Sequence, residues 1–335
     1  FSLKEEKMTQ LNNQMKLRAV VVASAMAFGL SSMSAQAAVL SWGYSTDLQF
    51  TGPTSFSASN SNLDSNTTST YELSWGNANG NFQTPTGNSS LNRSALTIGS
   101  FASNPETLTT PTNSSTGSPA TSAQQGHPVT VSADAVFTGN EIGRGTSFTH
   151  WNNVLDGNFS TLTAATFTDT ITFFPTVNAN GTYSSSPSVS GPTLTFNFQF
   201  RETPNGGNAN GLCADGSNPG SWTNGCPDLL GYTGVNVINN AFSYLGDTYY
   251  AHILQLKADG SVDQIGIGNL SNGECSYLGL ANGCFGFRTL EGATTTERFG
   301  FAITQTTISV PEPGSLALLG LGLFGLGALR RRNNA

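Results

Sequence analysis

The chain is organised by a two-residue alternation of apolar and polar side chains, clearest between residues 128 and 309. In the segment Pro192–Thr203, Leu194, Phe196, Phe198 and Phe200 fall on one side. Thr193, Thr195, Asn197, Gln199 and Arg201 fall on the other. Successive side chains of a strand point to opposite faces, so this period predicts a strand with one buried face. Ala165–Phe174 repeats it, with Phe167, Ile171 and Phe173 on one face and Asp169 interrupting the row. Pro128–Phe137 alternates as well. Tyr249–Leu270 reads as a hairpin around Asp259-Gly260, and Glu297–Ile308 as a last strand with Phe299, Phe301 and Ile303 inward. Residues 39–51 and 70–76 are predicted as shorter strands. The stretches 52–69, 77–93 and 103–128 are Asn-, Ser- and Thr-rich and read as loops. No amphipathic helical period appears between residues 38 and 310. The fold class predicted is all-β, an antiparallel β-sandwich with long Asn/Ser/Thr-rich loops and Phe-rich inner faces.

The two ends break this pattern. From Met15, Lys16 and Arg18 form a basic start, Ala19–Leu30 an apolar run, and Ala35-Gln36-Ala37 a small-x-small site. That order predicts a secretory signal peptide over 15–37, cut before Ala38 by signal peptidase after passage through the secretion translocon. Residues 1–14 read as an upstream extension foreign to the mature protein. At the other end, Val310-Pro311-Glu312-Pro313 cannot continue a strand, because proline lacks a ladder donor and restricts the residue before it. Leu316–Leu329 is apolar apart from glycines. As a helix including Gly314 and Ser315 it spans ~24 Å, short of a ~30 Å hydrocarbon core. Arg330, Arg331 and Arg332 then hold the end on the cytoplasmic side. The expectation is one C-terminal hydrophobic helix acting as a transient membrane anchor. Gly320-Leu321-Gly322-Leu323-Phe324-Gly325 matches G-x-G-x-x-G but follows no strand, so it is not a dinucleotide site. The domain organisation expected is therefore 1–14, 15–37, a β-rich ectodomain over 38–309 (looser over 38–127, core over 128–309), and 310–335.

Composition narrows the function. Charged residues make up 10% of the chain, against about 25% in ordinary soluble domains. Residues 38–309 hold six of the 13 basic residues but seventeen of the 20 acidic ones. Nucleic-acid binding needs clustered Lys and Arg to neutralise phosphates, and no such cluster exists. The four cysteines fall into two close pairs, Cys213/Cys226 and Cys275/Cys284. In an exported chain they predict disulfides, and each pair brackets a Gly/Asn/Ser-rich loop that a local bridge would staple. Three connectivities are open to four cysteines. Zinc is the weaker reading, since no C-x-x-C is present.

Chemistry-bearing motifs are sparse. The histidines are His127, His150 and His252. His252 alternates with Leu254 and Leu256 and is expected inward. No G-x-S-x-G or H-E-x-x-H occurs, so no catalytic residue is assigned and no metal-ligand set is named. Paired carboxylates of the glycosidase kind are left open, because their spacing is invisible in sequence. The loops Leu155–Ser160 and Ala214–Ser221 contain Asp156 and Asp215 and offer oxygen ligands for Ca²⁺, although Asp-Gly is first a turn former. Trp42, Trp75, Trp151 and Trp222 are candidate stacking platforms for sugars. The stretch Thr149-His150-Trp151-Asn152 carries two readings. In one it is a strand end: Thr149 and Asn152 cap a turn at Asn152-Asn153, Trp151 covers a core edge, and His150 is a satisfied buried polar group. In the other, His150, Trp151 and Asn152 contact a sugar or metal.

Pro311-Glu312-Pro313, the apolar run and the terminal arginines together resemble the PEP-CTERM sorting signal of Gram-negative bacteria. The resemblance implies recognition by an exosortase that cleaves near Pro-Glu-Pro, with release or attachment at the cell surface or in the extracellular matrix. It also implies a setting of exopolysaccharide and biofilm. Thr149-His150-Trp151-Asn152 matches the T-H-x-N signature and resembles the THxN family of PEP-CTERM proteins. The expected role is a non-catalytic, exosortase-sorted surface or matrix protein; the alternatives are a lectin-like carbohydrate-binding sandwich and a polysaccharide-acting hydrolase. N-terminal sequencing of the exported protein is expected to begin at Ala38; a start within 15–37 would remove the signal-peptide reading.

Overall fold

The computed structural model describes residues 39–83, 93–103, 120–175, 186–233 and 237–309. The expected upstream extension, signal peptide and C-terminal helix lie outside the described residues, as do all of Val310–Ala335. Among the described residues no helix is long and apolar enough to cross a membrane.

The strands are β1 (Ser41–Phe50), β2 (Ser55–Phe56), β3 (Thr67–Thr68), β4 (Glu72–Gly76), β5 (Arg93–Ser100), β6 (Ala120–Thr121), β7 (Val129–Thr130), β8 (Gly143–Trp151), β9 (Leu162–Phe174), β10 (Val189–Arg201), β11 (Asp228–Tyr232), β12 (Asn240–Tyr244), β13 (Asp247–Leu256), β14 (Val262–Ile265), β15 (Phe285–Thr289) and β16 (Thr294–Thr304). Two short helices, α1 (Ser122–Gln125) and α2 (Asn272–Tyr277), each start at a capping box, Thr121 with Gln124 and Ser271 with Glu274. The first sheet runs β15-β11-β10-β9-β1-β6, with β2 on β9 and β7 on β1. The second runs β12-β13-β16-β8-β5-β4-β3, with β14 on β13. All named pairings are antiparallel.

The inner faces meet through aromatic rings. Phe148 of β8 lies 5.9 Å from Phe167 of β9, 6.4 Å from Phe198 of β10 and 6.5 Å from Phe287 of β15. Trp42 of β1 packs edge-on to Phe242 and Tyr249 of the opposite sheet at 5.5 and 5.1 Å. The predicted row on β10 is borne out, with Leu194, Phe196, Phe198 and Phe200 all buried. Rings in this geometry add about 0.5–1.5 kcal/mol per pair beyond the area they bury.

Three expectations change. Strands from both parts of the ectodomain share sheets: β1 lies between β9 and β6, and β5 joins β4 to β8. β5 itself was hidden in sequence because all eight of its residues are buried, which leaves no polar face to set the period. The predicted strand Pro128–Phe137 shrinks to β7. Beyond it the Asp134 carboxylate accepts the backbone N–H of Val136 at 2.9 Å, and this local bond replaces the ladder. His252 is buried but faces away from the inter-sheet core. It stacks on Phe137 at 5.9 Å beside Leu254 and Leu256, in a smaller cluster behind the second sheet. Asn239 donates its backbone N–H to the ring at 3.1 Å.

Phe198→Ala is expected to cost about 3–5 kcal/mol by the loss of buried ring and the cavity left behind. Thr195→Ala, on the outer face of the same strand, should cost within about 0.5 kcal/mol. Denaturant titration of both variants checks the assignment of faces.

Candidate functional site

The THWN segment ends β8, which lies between β16 and β5 in the second sheet. Its side chains alternate as the sequence predicts. Thr149 and Trp151 take one face. The Thr149 hydroxyl bonds Thr296 at 3.0 Å, and Trp151 Nε1 donates to Thr97 at 2.9 Å. His150 and Asn152 turn to the core, 1% and 0% exposed. His150 Nδ1 bonds the Thr289 hydroxyl at 2.7 Å, while Nε2 has no partner. Asn152 donates Nδ2 to the Thr289 carbonyl at 3.4 Å, and its Oδ1 has no partner. The expected turn cap therefore gives way: Thr149 bonds across the sheet, Asn152 reaches β15, and His150 is satisfied on one nitrogen only. The turn is held instead by Asn153, whose amide donates to the Arg93 carbonyl at 2.9 Å.

Behind His150 lies a ring and then an acid. Trp75 of β4 stacks on His150 at 5.8 Å and donates Nε1 to Glu202 Oε2 at 3.3 Å. Glu202 follows β10, Asp228 opens β11, and Glu291 stands in the turn between β15 and β16. One carboxylate oxygen from each of these three acids lies within 4.8 Å of the other two. Asp228 and Glu291 are 0% and 1% exposed; Glu202 is half-buried. Among the described residues no Lys or Arg is ion-paired with any of them; the ion pair present is Arg288 with Glu274.

The loop chemistry explains how the acids converge. Cys213 and Cys226 are bridged, as are Cys275 and Cys284, the local pairing favoured by the loop spacing. The first bridge closes the β10–β11 loop directly before Pro227-Asp228. Thr203 locks that junction by donating its hydroxyl to the carbonyls of Cys226 and Pro227, both at 3.0 Å, and its N–H to Asp228 Oδ1 at 2.7 Å. Asn224, from the same loop, donates to the Glu291 carbonyl at 3.0 Å. The second bridge steadies α2, whose Glu274 pairs with Arg288 of β15 through both guanidinium arms at 2.5 and 2.6 Å.

Burial dominates the electrostatics. It pushes the Glu202 carboxyl up to about 8, with the Glu291 charge adding and the Trp75 N–H opposing. It raises Asp228 well above the carboxylate range, with Glu202 and Glu291 adding. It takes Glu291 up to about 7 against hydrogen bonds from Asn205 and Asn152. Burial also lowers His150 to about 3, so its imidazole is neutral. Such a cluster either retains protons or takes up a cation; three bare carboxylates this close repel strongly.

Other predicted sites fall elsewhere. The Asp156 and Asp215 carboxylates accept bonds within their own turns, from the Asn158 and Ser217 N–H groups, both at 2.9 Å. They are turn formers, and neither is among the convergent acids. Trp42 and Trp75 are 0% exposed, so they serve the core and not a sugar surface. Trp222 is half-buried, with Nε1 bonded to Ser217 at 2.8 Å. Asp169, the break in the β9 row, lines a cavity of about 20 Å³ beside Phe148, Phe167 and Phe196; that is room for about one water. The sorting residues Val310, Pro311, Glu312, Pro313 and Arg330–Arg332, and the cleavage residues Ala35, Ala37 and Ala38, lie outside the described residues.

Sequence comparison identifies the C-terminal segment directly. Residues 309–332 match the family model of the PEP-CTERM protein-sorting motif. The chain carries a PEP-CTERM sorting motif. No curated protein matches its sequence. The motif implies export, sorting to the cell surface and processing by an exosortase. The fold that it carries to the surface is the sandwich with the carboxylate cluster at one end.

Glu202 and Glu291 keep protons in the folded chain at about 8 and about 7, against 4.5 when exposed. Their contribution to stability is therefore complete below about 4.5 and is lost as pH rises through 7 to 8. Neutral His150 acts with the opposite sign, and only below its exposed value of 6.5. In chelator, the melting temperature is thus expected to fall from about pH 6.5 to 8, with Asp228→Asn and Glu291→Gln flattening the slope. A flat wild-type profile would remove the buried-proton picture.

Proposed function

We propose that this PEP-CTERM protein is a non-catalytic component of the bacterial cell surface or extracellular matrix, residing among exopolysaccharide in biofilm. The observation that carries the reading is a sorting motif beginning at residue 309, directly after a closed β-sandwich. Asp228 and Glu291, two of its three convergent carboxylates, are shut from solvent. A polysaccharide hydrolase needs its acid and base on an open cleft that admits the chain of sugars. The low charge of the ectodomain and its many hydroxyl and amide side chains suit residence in a hydrated polymer, where neither electrostatic steering nor tight binding is required.

In this reading Thr149-His150-Trp151-Asn152 is the signature of a THxN subfamily, and its role is structural: it joins β8 to β5, β15 and β16. The apolar run Leu316–Leu329 holds the chain in the inner membrane until the exosortase cuts near Pro311-Glu312-Pro313. The arginines that follow stay with the discarded tail.

The test is the C-terminal mass of the native protein from cell-envelope and matrix fractions, together with turnover assays on extracted exopolysaccharide. A matrix form ending near Pro311, with no turnover, is expected. An intact Arg330–Ala335 end confined to the membrane fraction would overturn the sorting step, and sugar release by the purified protein would overturn the non-catalytic role.

A further inference from the structure

Four oxygen-bearing side chains from four separate segments meet at one end of the sandwich. Glu202 follows one strand of the first sheet and Asp228 opens another, Asn152 follows a strand of the second, and Glu291 comes from the turn that crosses between the two. The three acids alone would prove nothing, since acidic groups cluster for other reasons. The fourth residue is the independent observation. Asn152 is 0% exposed, lies against both Asp228 and Glu291, and leaves Oδ1 with no partner. Asp228 Oδ2 and Glu291 Oε2 are equally unpartnered and enclosed. Buried polar oxygens are nearly always satisfied, so three unpartnered ones on side chains in mutual contact indicate a missing partner.

The donor set selects the partner. Every group is a hard oxygen, and the cysteines are consumed in disulfides. That excludes the soft and borderline metals that favour sulfur and nitrogen. Among hard cations, Mg²⁺ demands a tight octahedron and keeps several waters, whereas Ca²⁺ accepts six to eight oxygens in irregular arrangements. An enclosed set of three carboxylates and an amide suits the latter. Half-buried Glu202 supplies the route in from solvent.

We propose that Asn152, Glu202, Asp228 and Glu291 form a calcium site that clasps the two sheets together. The THWN segment then has a physical task. Asn152 is a ligand, and His150 is a positioning residue: it holds Thr289, whose carbonyl orients the Asn152 amide.

The test uses the exported protein, stripped with chelator and titrated with CaCl₂ by calorimetry near neutral pH. One ion per chain is expected, with the melting temperature raised by about 5 °C or more at a hundredfold excess over Kd. Asp228→Asn and Glu291→Gln should each weaken binding at least about tenfold. Asp156→Asn and Asp215→Asn, in the turns with their own bonds, should leave it unchanged. Tb³⁺ gives a second readout on the wild-type fold. Trp75, whose Nε1 touches Glu202, should sensitise its emission, Ca²⁺ should quench it by displacement, and Trp75→Phe should dim it. The proposal is overturned by the absence of binding at millimolar Ca²⁺, by a preference for Mg²⁺, or by binding that survives both site variants. If the site variants fail to fold, terbium emission indifferent to Trp75→Phe overturns it.

Discussion

The contact of Phe148 with Phe167, Phe198 and Phe287 holds two sheets that have few other means of staying together. With charged residues at 10% of the chain, ion pairs contribute little, and the long polar loops cost ordering entropy and bury little apolar surface. The inter-sheet layer of Phe, Trp and Tyr must offset that cost. The chain crosses between sheets repeatedly, from β2 to β3, β5 to β6, β7 to β8, β8 to β9, β11 to β12, β14 to β15 and β15 to β16. Crossings such as β8 to β9 and β15 to β16 fix loops at the ends of the sandwich, so the aromatic layer also decides which of these loops become neighbours.

That is how Glu202, Asp228 and Glu291 meet. None of them is brought in by a counter-charge, and each is drawn inward by the strand or turn to which it belongs. The energetic conflict is local: desolvation disfavours the ionised forms, and the acids repel one another. Trp75, Thr203 and Asn152 relieve part of it with hydrogen bonds. The Cys213–Cys226 bridge contributes in a different way. It restricts the β10–β11 loop in the unfolded chain, so less entropy is lost when Asp228 is set beside its two neighbours.

The β10 row was legible because one of its faces is wet and the other dry, which writes the period into the residues themselves. β5 was not, because both its faces are covered and Arg93 is buried with them, its guanidinium bonded to Thr67 and Ser74. The THWN segment could be placed on a strand end with His150 inward, but its partners could not: Thr289 and Thr296 are contributed by β15 and β16, far along the chain. The acids were harder still. The aspartates in turn-forming Asp-Gly pairs drew attention, yet those carboxylates are spent on their own turns. The informative signal was plainer. In a chain short of acids, one follows an aromatic row at Glu202, one follows Cys226-Pro227, and one precedes Gly292 at φ 65°, where a tight turn tips Glu291 inward.

The hydrogen bonds between Asn239 and Ile308 bear on the sorting step. Asn239 Oδ1 accepts the Ile308 N–H at 2.8 Å, and its Nδ2 donates to the Ile308 carbonyl at 2.9 Å. Ile308 is thereby fastened to the wall of the domain, one residue before the sorting motif begins. The exosortase that processes the motif therefore works beside a folded domain whose last described segment is pinned at Ile308, so the shape of the domain there belongs to the substrate along with the motif.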